Sequence, residues 1–153
     1  MATDYDSQDI GREFSGSWDW IEQFYNRNYP VLERQSLAVI HPTTDRRIEV
    51  FAWFVSRNEL IKSIQGLIAE MRKRGYDRQF RAGQSLDILV LSRSREHGLR
   101  TGQASLAVIL NTKGGMIVSY QDQSTDIEIN VERVELTPEV EELLARLLAL
   151  PID

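Results

Sequence analysis

Residues 56–75 read SRNELIKSIQGLIAEMRKRG, and the period inside that stretch, set against what surrounds it, decides the fold. Ser56 and Glu59 stand at capping-box spacing, and Gly75 offers the left-handed stop that ends a helix. Between them Leu60, Ile61, Ile64, Leu67, Ile68 and Met71 recur every three or four residues, which puts them on one helical face. Burying each such side chain is worth about 1.5–3 kcal/mol before entropy is subtracted. The helix therefore needs a sheet to pack on.

The sheet is read from both sides of that helix. Upstream, Ser36–His41 is a short apolar run, Pro42–Asp45 is turn chemistry, and Arg47–Phe54 alternates, which together predict a hairpin. Downstream, a polar loop over Asp77–Gln84 leads to four β-rich runs: Leu86–Leu91, Ala104–Leu110, Met116–Tyr120 and Asp126–Val131. The turns between these runs are short enough only for antiparallel neighbours, so a meander is expected. The alternation then slips before Val134 and Leu136, as at a bulge or a strand end.

Helices close the pattern at both ends. Trp18, Ile21, Phe24 and Tyr25 share a stripe, and Pro30 argues against continuation, so a first helix is expected over roughly residues 18–28. At the other end Thr137 caps, Pro138 takes the first helical position, and acids fill the first turn. Val140, Leu143, Leu144, Leu147 and Leu148 then form a stripe that suits either the core or a dimer seam. The expected class is α+β: a single antiparallel sheet in the order α-ββ-α-ββββ-α, with helices mainly on one face. Residues 1–16 are poor in apolar side chains and are expected to be a flexible acidic tail, leaving 17–153 as one domain.

Composition excludes several kinds of function. The 153 residues include no cysteine, which removes disulfides, thiolate metal sites and thiol nucleophiles. No apolar run is long enough to cross a bilayer and the first residues are acidic, so a cytoplasmic protein without membrane insertion is expected. Gly114-Gly115 lies between strands, not before a helix, which argues against a phosphate loop. His41 precedes a proline and His97 a glycine, and neither has a ligand or base partner nearby in sequence. Asp4, Asp6 and Asp9 lack the glycine and the twelfth-position glutamate of a calcium loop. No catalytic residue, metal site or cofactor is expected, and the chain reads as a non-enzyme.

Charge is uneven although the net is −5. Residues 1–25 and 121–153 are acidic, and 71–100 is basic through Arg72, Lys73, Arg74, Arg78, Arg81, Arg93, Arg95 and Arg100. The cluster Arg72, Lys73, Arg74, Arg78 and Arg81, interleaved with Tyr76 and Phe80, has the composition of a single-strand nucleic-acid groove. It also fits a helix C-terminus followed by a solvated loop, or pairing with the acidic last helix. The chain's isoelectric point near 5.1 makes nucleic acid a disfavoured partner.

The more informative signal is aromatic. If Ile48, Val50, Ala52 and Phe54 face the core helix, a period of two sends Phe51 and Trp53 to the opposite face. Either the first helix covers them with Trp18, Trp20 and Tyr25, or they form an exposed patch for a partner or a second copy. Trp18, Trp20, Tyr25, Phe51 and Trp53 are thus the candidate partner-binding residues.

The layout over residues 18–150 resembles that of secretion-chaperone-like small domains, in element order alone. That resemblance implies a dimer that binds polypeptide. The ending Thr137-Pro138-Glu139-Val140-Glu141-Glu142-Leu143-Leu144, with Pro151-Ile152-Asp153, is similar to small cyanobacterial proteins and implies a helper in assembling a photosynthetic or carbon-fixing complex. The expected function is a protein-interaction module, an assembly factor or small chaperone that takes a polypeptide on an apolar aromatic face. The alternative is a nucleic-acid-binding or regulatory module built on the basic 72–81 segment.

Overall fold

The computed structural model describes residues 4–38, 59, 61–85, 88–111 and 114–153. Helix α1 covers Asp4–Ala38, helix α2 covers 61–73, and a single 3-10 turn over Tyr76–Arg78 leads into the sheet. Its strands are β1 (Arg81–Ser85), β2 (Ile88–Ser92), β3 (Ser105–Leu110), β4 (Met116–Gln121) and β5 (Asp126–Val131). Helix α3 (Pro138–Leu148) follows. The protein is α+β, with one five-stranded antiparallel sheet in the order β1-β2-β3-β4-β5.

Register fixes the two faces of the sheet. Ala82 lies opposite Leu91, Leu89 opposite Val108, Leu106 opposite Tyr120, and Val118 opposite Ile129. These side chains form one face, and all three helices pack on it. Trp18, Ile21 and Tyr25 of α1, Ile64, Leu67, Ile68 and Met71 of α2, and Val140, Leu143, Leu144 and Leu147 of α3 join them in one core cluster. The leucine stripe of α3 is therefore core. Thr137 Oγ1 accepts from Val140 N at 3.3 Å, and Gly75 stops α2 with φ +85°, so both local signals read in the sequence operate.

The structure corrects three expectations. Residues from Asp4 onward are helical where a tail was expected, and Ile10 and Phe14 are buried. The cause is spacing: Ile10, Phe14, Trp18, Ile21 and Tyr25 follow each other by three or four residues, so the apolar stripe begins well before residue 18. Helix α1 also continues through Pro30 to Ala38, so Ser36–Ala38 is helix and not strand. Pro30 is thus an interior helical proline, a position that costs about 3 kcal/mol of helix stability. The rest of the hairpin expected before α2, with the Ser56 cap and Leu60, lies outside the described residues.

The third correction is β1, which replaces the later part of the expected polar loop. Arg81, Gly83 and Gln84 have little strand propensity, but pairing with β2 and a bond from Ala82 N to Ser17 Oγ at 2.9 Å hold the segment extended. No described helix is long and apolar enough to cross a membrane.

Candidate functional site

Helix α1 carries aromatic side chains on two sides, and the sides have different fates. Trp18 and Tyr25 lie on the inward stripe and are buried, with Trp18 Nε1 donating to Phe80 O at 2.9 Å. These two candidates for partner contact are instead core residues. Trp20 sits two positions beyond Trp18, about 200° further round the helix, and is 44% exposed. Its ring stacks on Phe24 with centroids 5.8 Å apart, which fixes its orientation at the surface. Phe51 and Trp53 lie outside the described residues.

Leu99 is the other large apolar side chain that the described residues leave in solvent, at 49% exposure. It follows Gly98, whose φ of +90° turns the chain, in a bend held by Ser94 Oγ at 2.6 Å from Glu96 O and 3.2 Å from Gly98 O. Trp20 and Leu99 line one groove of about 310 Å³ on the β1 flank of the sheet. Its floor is Gly83 and Val90, and a Cβ added at Gly83 would meet no atom within 4 Å. His97 lines the groove as well.

The charge in the wall of this groove is already engaged. Arg81 donates from Nε to Ser94 O at 2.9 Å and from Nη2 to Arg95 O at 2.6 Å, lies 3.4 Å from Glu13, and stacks over the Phe14 ring. Its side chain is 12% exposed. An apolar groove with a satisfied cation in its wall suits an apolar side chain better than a phosphate.

The same holds for most of the basic cluster. Arg72 pairs with Asp19 at 2.8 Å, Glu22 at 3.2 Å and Asp77 at 3.3 Å. Arg74 pairs with Glu70 at 3.1 Å and with Glu141 of α3, the pairing with the last helix that the sequence left open. Lys73 and Arg78 are exposed and form no ion pair among the described residues, and Arg78 lies across Gly11. Two unpaired cations make a poor phosphate track.

A second cavity of about 350 Å³ lies between Arg93, the 122–124 turn and Leu150–Asp153. Burial lowers the Arg93 pKa, and its guanidinium donates to Leu150 O at 3.0 Å and Gln79 O at 2.8 Å. Asp122 in the same cavity accepts from Tyr120 Oη at 2.7 Å and from Ser124 N at 2.8 Å. These polar groups join segments of the fold to each other. Among the described residues no group of three His, Cys, Asp or Glu stands close enough to hold a metal ion.

The sequence singled out Trp20 but not Leu99, a lone leucine between Gly98 and Arg100 with no periodic partner. Only the meeting of its loop with α1 and β1 gives it a role. Fold and groove together define a class, an α+β domain with an apolar groove on the flank of an antiparallel sheet. No protein-family model, curated protein or solved structure matches the chain.

Proposed function

We propose that this chain is a protein-interaction module, an assembly factor or small chaperone that takes an apolar segment of a polypeptide partner into the Trp20–Leu99 groove. The observation that carries the reading is convergence: the two large apolar side chains left exposed among the described residues line one groove. Isolated exposed apolar residues are ordinary, whereas two that meet over a glycine floor form a pocket for an apolar anchor. A pair of copies as the working form belongs to the same reading.

The test is partner capture from native extract by wild type and by a Trp20→Ala, Leu99→Ala double variant, at low and high salt. Capture should survive salt and fall at least tenfold in the double variant, with the folded circular dichroism unchanged. A Lys73→Glu, Arg78→Glu variant should capture normally. Undiminished capture by the aromatic and leucine variant would end the proposal. Binding to nucleic acid that weakens steeply with salt and vanishes in the charge-reversed variant would replace it.

A further inference from the structure

The sheet ends in two edge strands, β1 and β5, and the turns fix which way their main chains point. Asp122 N donates to Thr125 O at 2.9 Å, and Asn111 N donates to Gly115 O at 3.0 Å. Bonded and non-bonded pairs alternate along an antiparallel ladder, so counting from either turn gives the same result for β4. Met116, Val118 and Tyr120 bond to β5, and Ile117, Ser119 and Gln121 bond to β3. On β5 it follows that Ile127, Ile129 and Val131 bond inward, while the N–H and C=O groups of Asp126, Glu128 and Asn130 point out of the sheet.

The two edges are finished differently. On β1 the outward Ala82 N–H is taken by α1, donating to Ser17 Oγ at 2.9 Å. On β5 no group among the described residues bonds to the outward main chain, and Asp126 and Glu128 form no ion pair among them. Asp126, Glu128 and Asn130 are all exposed. The β1 edge is capped by a helix, and the β5 edge is open.

An open edge is a template for one more strand, and its side chains decide which strand fits. Asp126, Glu128 and Asn130 share one face of β5 at a repeat of about 7 Å, and the first two are acids. Ile127 and Ile129 share the other face, packed against the core but still partly open to solvent. A strand laid alongside β5 sets alternate side chains next to the two carboxylates and the intervening ones next to the two isoleucines. At such cross-strand positions opposite charges attract and like charges repel.

A second copy of β5 is a poor fit for that reason. Antiparallel pairing centred on Glu128 sets that acid against itself, and pairing centred on Ile127 sets Asp126 against Glu128. The net charge of −5 favours a cationic partner at longer range as well. We propose that the β5 edge takes an extended segment of a basic polypeptide, with Lys or Arg at alternate positions and apolar residues between them. This surface is on the opposite flank of the sheet from the Trp20–Leu99 groove, so the proposal goes beyond the reading of that groove and does not depend on it.

The test is titration with a blocked ten-residue peptide in which Lys and Val alternate, read by fluorescence anisotropy and by amide hydrogen exchange. The peptide should bind, and exchange at the Glu128 and Asn130 amides should slow at least tenfold in the complex. A peptide of the same composition with its lysines and valines in separate blocks should bind at least tenfold more weakly. Asp126→Lys with Glu128→Lys should weaken the alternating peptide at least tenfold. Asn130→Pro keeps both acids and every bond to β4 but removes a donor that an incoming strand needs, and should weaken binding at least fivefold. Absence of binding up to sub-millimolar peptide overturns the proposal. Binding with unchanged exchange at Glu128 and Asn130, or equal binding of the block peptide, also overturns it, since either is charge attraction without strand pairing. The Trp20→Ala, Leu99→Ala protein should bind the peptide as wild type does, so lost capture with peptide binding intact bears on the groove alone.

Discussion

Asp122 sits at the turn between β4 and β5 and is held down to about 2, chiefly by the hydroxyl of Tyr120 and next by the Ser124 N–H. Tyr120 is pushed up to about 12, first by burial and then by that same bond. An unfolded aspartate takes up its proton near 3.8, so the stabilisation from Asp122 is complete above that pH and is lost as pH falls toward 2. For Tyr120 the sign is opposite. An unfolded tyrosine ionises near 10, so its contribution is complete below that pH and disappears as pH climbs to 12. Urea midpoints measured against pH should fall off at both extremes in wild type. In Tyr120→Phe both declines should be shallower, because the tyrosine no longer ionises and Asp122 loses the chief bond that holds its folded pKa below the unfolded one. Identical limbs in the two proteins would mean that the pair is not coupled.

At the scale of the element, α1 is where composition and structure part company. Phe14 is fully buried, so Phe14→Ala should cost about 3–5 kcal/mol, while Trp20→Ala on the outer side, losing a half-exposed ring and its stack on Phe24, should cost about 1 kcal/mol. Equilibrium urea unfolding separates these, and equal costs would contradict the placement of the helix. Helix α3, the Gly75 stop of α2 and four of the strands were legible in the sequence because each is written in local signals: caps, turn residues and a clear period. The start of α1 was not, because Ile10 and Phe14 are only two apolar residues in an acidic stretch and matter only once Trp18 extends their stripe. Strand β1 was not legible either, since what holds it is β2 on one side and Ser17 on the other. The groove was half legible: the helical period leaves Trp20 off the stripe of Trp18, Ile21 and Tyr25, but grouping Trp18, Trp20 and Tyr25 as one cover for the hairpin hid that Trp20 points the other way.

Across the whole molecule, the acidic first segment and acidic last helix close around the basic middle. Arg72 joins α2 to α1 and to the 3-10 turn, Arg74 joins α2 to α3, and Arg81 joins β1 to α1. Each pair is partly exposed and individually weak, but together they oppose the separation of all three helices. Raising sodium chloride from low concentration toward 1 M should therefore lower the melting temperature by a few degrees, as screening shortens the Debye length to about 3 Å. In Arg72→Ala the salt response should be smaller. A melting temperature that rose monotonically with salt would show that burial outweighs these pairs throughout the range.

Beyond α3 the backbone returns to the sheet. Asp153 N donates to Arg93 O at 3.0 Å, and Arg95 N donates to Asp153 O at 2.8 Å, so residue 153 bridges Arg93 and Arg95 in the pattern of a parallel pairing with the chain leaving β2. This clasp determines how the fold bears mechanical load. A pull applied through residue 153 reaches the end of β2 before it reaches α3, and the helix is shielded from peeling until both bonds rupture. In a force-extension trace the first event should be a small, brittle step from that clasp, followed by the compliant unravelling of the helix.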